Sequence, residues 1–536
     1  MLTSISLRTL SLSSNPCPGT NIHTSEGMLS ITPVTRLWRV FSFCATGEGD
    51  STIDILTDNV LLEIFCFYQA FYLSDPDVFE MPLRDWRQLM HVCRRWRHII
   101  FESPRRLNLQ ILCTFNKRFK KSLGIWPDFP IAIKHRDFRL DSIGQDDVIA
   151  ALEHPDRVFC IELNITSSQL EKMTTLLQKS FPVLTHLDIC SKDDESLDLP
   201  GGFLGGSAPC LQKINLSVTS FPALPTLLLS AKNLEELTLW GVPPTYYISP
   251  GAMVACLAEL PRLDTLCLHF TLVAVRLGQI HPPPMTRVVL LALANFDFFG
   301  TSEYLEDLVA QIDCPELDHI HVYITNPVVN FQVAQLSKFL NRSVGLEMSP
   351  YSPTEVDLAH GRVVIKMFCD PNLRYYVWKP EGRRATIVIC YQWTDLEVSL
   401  FAEVVNRFSA ILSAVDHLSL MSSETVYYRI KSADDIDWPH LLHPFSAVQT
   451  LHVSWGHARR VTHALEGIPA ERVTKVLPSL CLAYIEGYRE SFPEKFVAAR
   501  ELSGCPVVVT YDRMEYTKIL EYCVSQLEDV TDSEPE

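Results

Sequence analysis

Past residue 150 one hydrophobic pattern keeps returning: an apolar residue, two residues, an apolar residue, one residue, an apolar residue. Val158, Ile161 and Leu163 make the first copy, followed by Leu184, Leu187 and Ile189, then Leu211, Ile214 and Leu216. Leu234, Leu237 and Leu239 come next, then Leu263, Leu266 and Leu268, a weaker copy at Val288, Leu291 and Leu293, and a clear one at Leu317, Ile320 and Val322. Measured on the middle residue from Ile161 to Ile320, the steps are 26, 27, 23, 29, 25 and 29. A period in this range predicts a repeat whose unit is a short, half-buried strand with a returning helix or loop. Helix signals fall between the strands. Ser168-x-x-Glu171 reads as a capping box ahead of a run to Lys179, Ser249-Pro250 as a cap and N1 proline before 252–260, and Tyr304 to Ile312 as a third helix.

Between residues 323 and 414 the register is unclear. Apolar runs at Val363 to Phe368 and Ala385 to Tyr391 precede a helical stretch from Leu396 to Leu412. Two or three degenerate repeats fit this interval, and so does an inserted β structure. The pattern resumes at Val415, Leu418 and Leu420 and at Val448, Leu451 and Val453, with a further copy at Leu477, Leu480 and Leu482. A closing strand, Pro506 to Tyr511, and a helix, Met514 to Leu527, are expected to cap the array, because an end repeat otherwise leaves its apolar face bare. Earlier in the chain, Phe129 to Lys134 reads as a first strand.

A different pattern occupies Ile55 to Phe101. Val60, Leu61, Ile64, Phe65 and Tyr68 recur at helical spacing, and Leu89, Val92, Cys93, Trp96, Ile99 and Ile100 do the same further on. Two or three short helices this apolar need a partner to cover them. These residues resemble an F-box, the adaptor-binding motif of ubiquitin-ligase substrate receptors. Leu56, Leu61, Leu62, Ile64 and Phe65 fit the opening of the family pattern, and Leu89, Val92, Cys93, Arg94, Trp96 and Ile100 fit its Leu…Val-Cys-Arg-x-Trp close. Thr57 stands where the family usually has proline and Asn59 where it has glutamate, and residues 67–85 form a longer spacer than a compact F-box carries. The Thr57 hydroxyl can still cap the helix. The resemblance implies that Leu56, Leu61, Leu62, Ile64, Leu89, Val92, Cys93 and Trp96 bind a Skp-type adaptor, or directly support the residues that do.

The repeat resembles leucine-rich repeats, without the asparagine that regular copies place after the last leucine. The whole is similar to the F-box and leucine-rich-repeat proteins expanded in mushroom-forming fungi. That resemblance implies an α/β chain in which a small helical F-box precedes an irregular solenoid. It implies a substrate-recognition subunit of an SCF-type ubiquitin ligase, linked through the adaptor to a cullin-RING ligase and holding an unknown target protein on the solenoid. In such an array the residues between the strand's apolar positions face the concave surface. Here they are His186 and Asp188, Lys213 and Asn215, Glu236 and Thr238, His319 and His321, His417 and Ser419, Thr450 and His452. The histidines are read as exposed imidazoles rather than pH sensors. A scaffold that uses the same F-box and repeats without ubiquitin transfer is the alternative.

Composition narrows the field. With 47% apolar and 20% charged residues in 536, the chain is mostly folded and large enough for several domains or one long array. A net charge of −17 argues against a nucleic-acid binder. Arg84 to Lys121 holds eleven Lys or Arg, but base-stacking aromatics do not alternate with them, so they read as solvated helix faces. No run of about 18 apolar residues predicts a membrane span. The 16 cysteines are scattered without a C-x-x-C pair, which suits reduced thiols in a cytoplasmic or nuclear protein. No hydrolase elbow, P-loop or H-E-x-x-H pair occurs, so no catalytic residue, cofactor or metal is expected. The expected order is a disordered leader (1–50, Ser/Thr-rich), the F-box (51–102), a connector and N-terminal cap (103–150), the solenoid (151–527) and an acidic disordered tail (528–536).

Overall fold

The computed structural model describes residues 56–70, 87–103, 107, 109–114, 119–125, 129–135, 142–191, 197–217, 221–242, 248–270, 287–325, 333–343, 353–359, 362–368, 384–390, 402, 405–421, 438–486 and 494–512. The leader, the tail and the helix expected over 514–527 lie outside them. The chain divides into two units, Met1–Leu109 and Gln110–Glu536.

The first unit is helical, with α1 (Asp58–Ala70), α2 (Arg87–Met90) and α3 (Arg94–Glu102). The Leu61 N–H donates to the Thr57 carbonyl at 3.0 Å, and Asp58 places a negative charge in the first turn, where the helix dipole favours it. Cys93, in extended backbone, starts α3 by accepting the Trp96 N–H on its sulfur at 3.4 Å.

The second unit is built on one large, mostly parallel sheet. In chain order its strands are β1 (Ile111–Cys113), β2 (Ile131–His135), β3 (Val158–Ile165), β4 (His186–Ser191), β5 (Lys213–Ser217), β6 (Glu236–Val242), β7 (Thr265–Phe270), β9 (Asn295–Gly300) and β11 (His319–Thr325). Then come β12 (Pro353–Ala359), β13 (Arg362–Phe368), β14 (Arg384–Cys390), β15 (His417–Met421), β16 (Thr450–Val453), β17 (Leu482–Glu486) and β18 (Val508–Asp512). A short β8 (Val288–Val289) and β10 (Ile312–Asp313) pair with each other in a separate parallel ribbon. Among the described residues the sixteen-stranded sheet runs from β1 at one edge to β18 at the other, in chain order except between β11 and β15, and does not close into a barrel.

Helices return the chain between strands: α4 (Phe119–Ile125), α5 (Ser142–Leu152), α6 (Ser167–Leu177), α7 (Leu224–Ser230), α8 (Pro250–Leu257), α9 (Ser302–Val309), α10 (Ala334–Arg342), α11 (Ser409–Leu412), α12 (Trp438–Leu442), α13 (Trp455–Glu466) and α14 (Glu494–Leu502). One strand face buries its apolar residues against them. Leu187, Ile214, Leu237, Leu266, Phe296 and Ile320 line up strand after strand at 1% exposure or less. Each such side chain contributes about 1.5–3 kcal/mol on burial. A main-chain spine fixes the register. The carbonyls of Gln212, Glu235, Asp264 and Ala294 each accept two N–H groups from the start of the next strand, as Asp416 and Gln449 do further on.

The spine corrects two repeats. The weak copy at Val288, Leu291 and Leu293 belongs five residues later, at Leu293, Phe296 and Phe298, all buried, while Leu291 is exposed. Val288 is absorbed by the side ribbon, and phenylalanines take the places leucines hold elsewhere. Likewise Leu480 and Ala483, rather than Leu477 and Leu480, lead into β17, because Leu477 turns the chain with φ +48°. The first helix cap also shifts: the capping box is Thr166 with Gln169, not Ser168 with Glu171. Ser249 and Pro250 do cap α8, with the Ala252 N–H on Ser249 Oγ at 3.2 Å.

In the interval of unclear register the sheet departs from repetition. After β11 the chain skips two places to lay down β12, returns antiparallel as β13, and fills the gap with β14 beside β11. Strand β15 then pairs parallel with β12. The inserted β structure is therefore a three-stranded meander held inside the parallel sheet.

Candidate interaction surfaces

The helical unit closes on itself through an edge-on contact of Phe65 with Trp96, ring centroids 4.7 Å apart. Leu61, Leu62, Phe65, Met90, Trp96, Ile99 and Ile100 are buried. Arg95 ties the start of α1 to α3, its guanidinium on the Leu56 carbonyl and, at 2.7 Å, on the Asp58 carboxylate. Arg97 donates to the Met90 carbonyl at 3.3 Å, so part of the basic character read from the sequence serves the unit's own joints.

Of the eight residues singled out for adaptor binding, Leu61, Leu62 and Trp96 are spent on this interior. Leu56, Ile64, Leu89 and Cys93 are half-buried, and Val92 is 56% exposed. Val60, 44% exposed and one turn before Ile64 on the same face of α1, was absent from that set. Exposure, which helical periodicity alone does not give, is what separates Val60 and Val92 from their buried neighbours.

On the sheet, the face away from the helices carries a continuous row of positions in register. It runs Lys134, Glu162, Asp188, Asn215, Thr238, Cys267, Asp297, His321, Thr386, Lys366, Glu355, Ser419, His452, Tyr484 and Thr510. The neighbouring row holds His186, Lys213, Glu236, Thr265, Asn295 and His319, with His417 and Thr450 beyond the meander. The structure thus gathers His186, Asp188, Lys213, Asn215 and Glu236 on adjacent strands. It separates His417 and His452 from them by the meander. Thr238 is buried at 8% exposure.

Side chains in these rows bond across strands. Lys134 meets Glu162 at 3.0 Å and Lys213 meets Glu236 at 2.9 Å. Asn215 Nδ2 donates to Asp188 at 3.2 Å. Burial, and then the Lys213 ammonium, lower the pKa of His186. Burial and the adjacent Glu162 push the Cys160 thiol up to about 12.

Two strands further on lies a cluster the sequence reading missed. Asp297 on β9 sits between His269 on β7, 3.3 Å away, and His321 on β11, 3.2 Å away. Burial opposes its charge, but the two imidazoles outweigh that and hold its carboxyl below the usual carboxylate range. Above it, Trp240, His269, Phe299 and Tyr323 form a row of rings with successive centroids 3.8, 5.8 and 4.6 Å apart. Placing the repeat at Leu291 hid both features, since Asp297 and Phe299 alternate with Phe296 and Phe298 in the copy that follows. Among the described residues no group of His, Cys, Asp and Glu is arranged to hold a metal ion, and no helix is long and apolar enough to cross a membrane. Comparison with protein-family models and with curated proteins finds no match.

Proposed function

We propose that this protein is the substrate-recognition subunit of an SCF-type ubiquitin ligase, its helical unit docking on a Skp-type adaptor and its sheet, as a leucine-rich-repeat solenoid, holding a target protein. The observation that carries the reading is the helical unit. It spends Leu61, Phe65 and Trp96 on a small core and still presents Val60 and Val92 at the surface. Apolar side chains left outside so small a core suit a partner's groove. The sheet supports the second half: a wide polar face, away from the helices, offers side chains at fixed spacing for recognition. The protein itself does no chemistry on this reading; it raises the target's effective concentration near the ligase.

The full chain carrying Val60→Asp with Val92→Asp tests this. Both positions are exposed, so thermal unfolding should match the wild type while co-purification of the adaptor falls roughly 100-fold, as for loss of central apolar anchors. Undiminished adaptor binding by that folded double variant would remove these residues from the interface. Leu61→Asp or Trp96→Ala is a poorer test, because each breaks the interior first.

A further inference from the structure

The row of rings on β6, β7, β9 and β11 joins four neighbouring strands by cross-strand contacts. Its members point away from the helices, and Trp240 is left 44% exposed. The backbone is specially shaped there. Gly241, with φ +69°, takes a left-handed conformation, and the β6–β7 register shifts between Leu239 and Val242. Such a bulge re-aims the side chain beside it, and here Trp240 meets the His269 ring at a tilt of 51°, centroids 3.8 Å apart. Beneath the rings stands the Asp297 carboxylate, with the His269 and His321 imidazoles 3.3 and 3.2 Å away.

The charge of the surrounding face is one-sided. From β2 to β9 its in-register positions hold Glu162, Asp188, Glu236 and Asp297 against Lys134 and Lys213, which pair with Glu162 and Glu236 and leave Asp188 and Asp297 without a lysine or arginine among those positions. An exposed indole at the end of an aromatic row, with a carboxylate two strands away in a mainly acidic field, matches one side chain best. A guanidinium stacks flat on aromatic faces while its edge donates to a carboxylate. Nucleic acid would also stack, but its phosphates would meet these carboxylates.

We propose that the Trp240–His269–Phe299–Tyr323 row with Asp297 is the docking site for a basic, arginine-bearing segment of a partner polypeptide. The inference rests on the reading that the sheet face holds a protein target, and it names the chemistry of that target. An arginine side chain packs on the exposed Trp240 and reaches along the row toward the Asp297 carboxylate, and flanking basic residues follow the acidic positions toward β4.

The test uses the full chain and a fluorescein-labelled Gly-Arg-Gly-Arg-Gly-Arg peptide, with the same peptide carrying citrulline for arginine as a neutral isostere. Anisotropy titrations should show saturable binding of the arginine peptide and roughly tenfold weaker binding of the citrulline one. Trp240→Ala and Asp297→Asn should each weaken the arginine peptide at least about fivefold at unchanged melting temperature. Val60→Asp with Val92→Asp should leave it unaffected. Equal affinity for both peptides, indifference to Trp240→Ala and Asp297→Asn, displacement by a neutral oligosaccharide, or no binding up to about 1 mM would each overturn the proposal. Peptide binding without adaptor binding would sink the ligase reading and leave this site standing. Adaptor binding without peptide binding would do the reverse.

Discussion

Arg500 is buried to 1% exposure, and its guanidinium donates to the main-chain carbonyls of Val473, Leu477, Pro478, Leu480 and Cys505 at 2.8 to 3.5 Å. It holds the turn in which Leu477 adopts its positive φ. Arg500→Met should cost about 3 kcal/mol in urea unfolding, because several acceptors lose their donor at once; a midpoint within error of the wild type would show that water replaces it. Cysteines divide by the same logic of burial. Cys160 and Cys314 have thiols pushed up to about 12 by burial next to carboxylates, whereas Cys210 and Cys481 are exposed. Thiolate is the reacting form. Brief alkylation of the folded protein at about pH 8 should therefore label Cys210 and Cys481 and spare Cys160 and Cys314 in a peptide map. His186 adds a pH dependence. Its pKa is lowered in the folded state, so its contribution is intact above about 6.5 and is lost as pH falls below that value toward the lowered one. His186→Gln should flatten the slope of stability against pH across that window, and an unchanged slope would exclude His186 as its source.

At the scale of elements, three helices have first-turn N–H groups held by a carboxylate on a neighbouring helix. Asp147 on α5 accepts the Phe119 and Lys120 N–H groups at the start of α4. Glu306 on α9 accepts those of Gln335 and Leu336 at 2.8 Å on α10, whose own N-cap position is Val333. Glu466 on α13 accepts that of Lys495 on α14 at 2.7 Å. These carboxylates fix each helix to the next, and Glu306→Ala should lower stability by about 1–2 kcal/mol in a denaturant titration. No loss would mean that α10 finds another cap. Such caps could not be read from the sequence, since donor and acceptor are about a repeat apart. The strands were legible where leucine or isoleucine filled every apolar place, as in β4, β5 and β6. They were misread where phenylalanine did, at β9, and where a turn imitated the spacing, at Leu477. The meander has a sign in the sequence: His360-Gly361 is an X-Gly pair of the kind that signals a hairpin, and β12 and β13 pair out to Ala359 and Arg362 on either side of it. The aromatic row needed the correct placing of β9 before its rings could be aligned.

At the scale of the molecule, the helical unit and the large sheet carry separable roles in the proposed function, and each has its own surface variants. On the helical unit the apolar spacing marked α1 and α3 but could not tell buried positions from exposed ones, because both recur at the same helical spacing. The central claim, adaptor docking, is tested most directly by mass. The chain alone is 60.8 kDa. Light scattering after size exclusion of the full chain mixed with purified Skp-type adaptor should show one species heavier than the chain by one adaptor molecule. Two separate peaks, with the chain still at its own mass, would contradict the account.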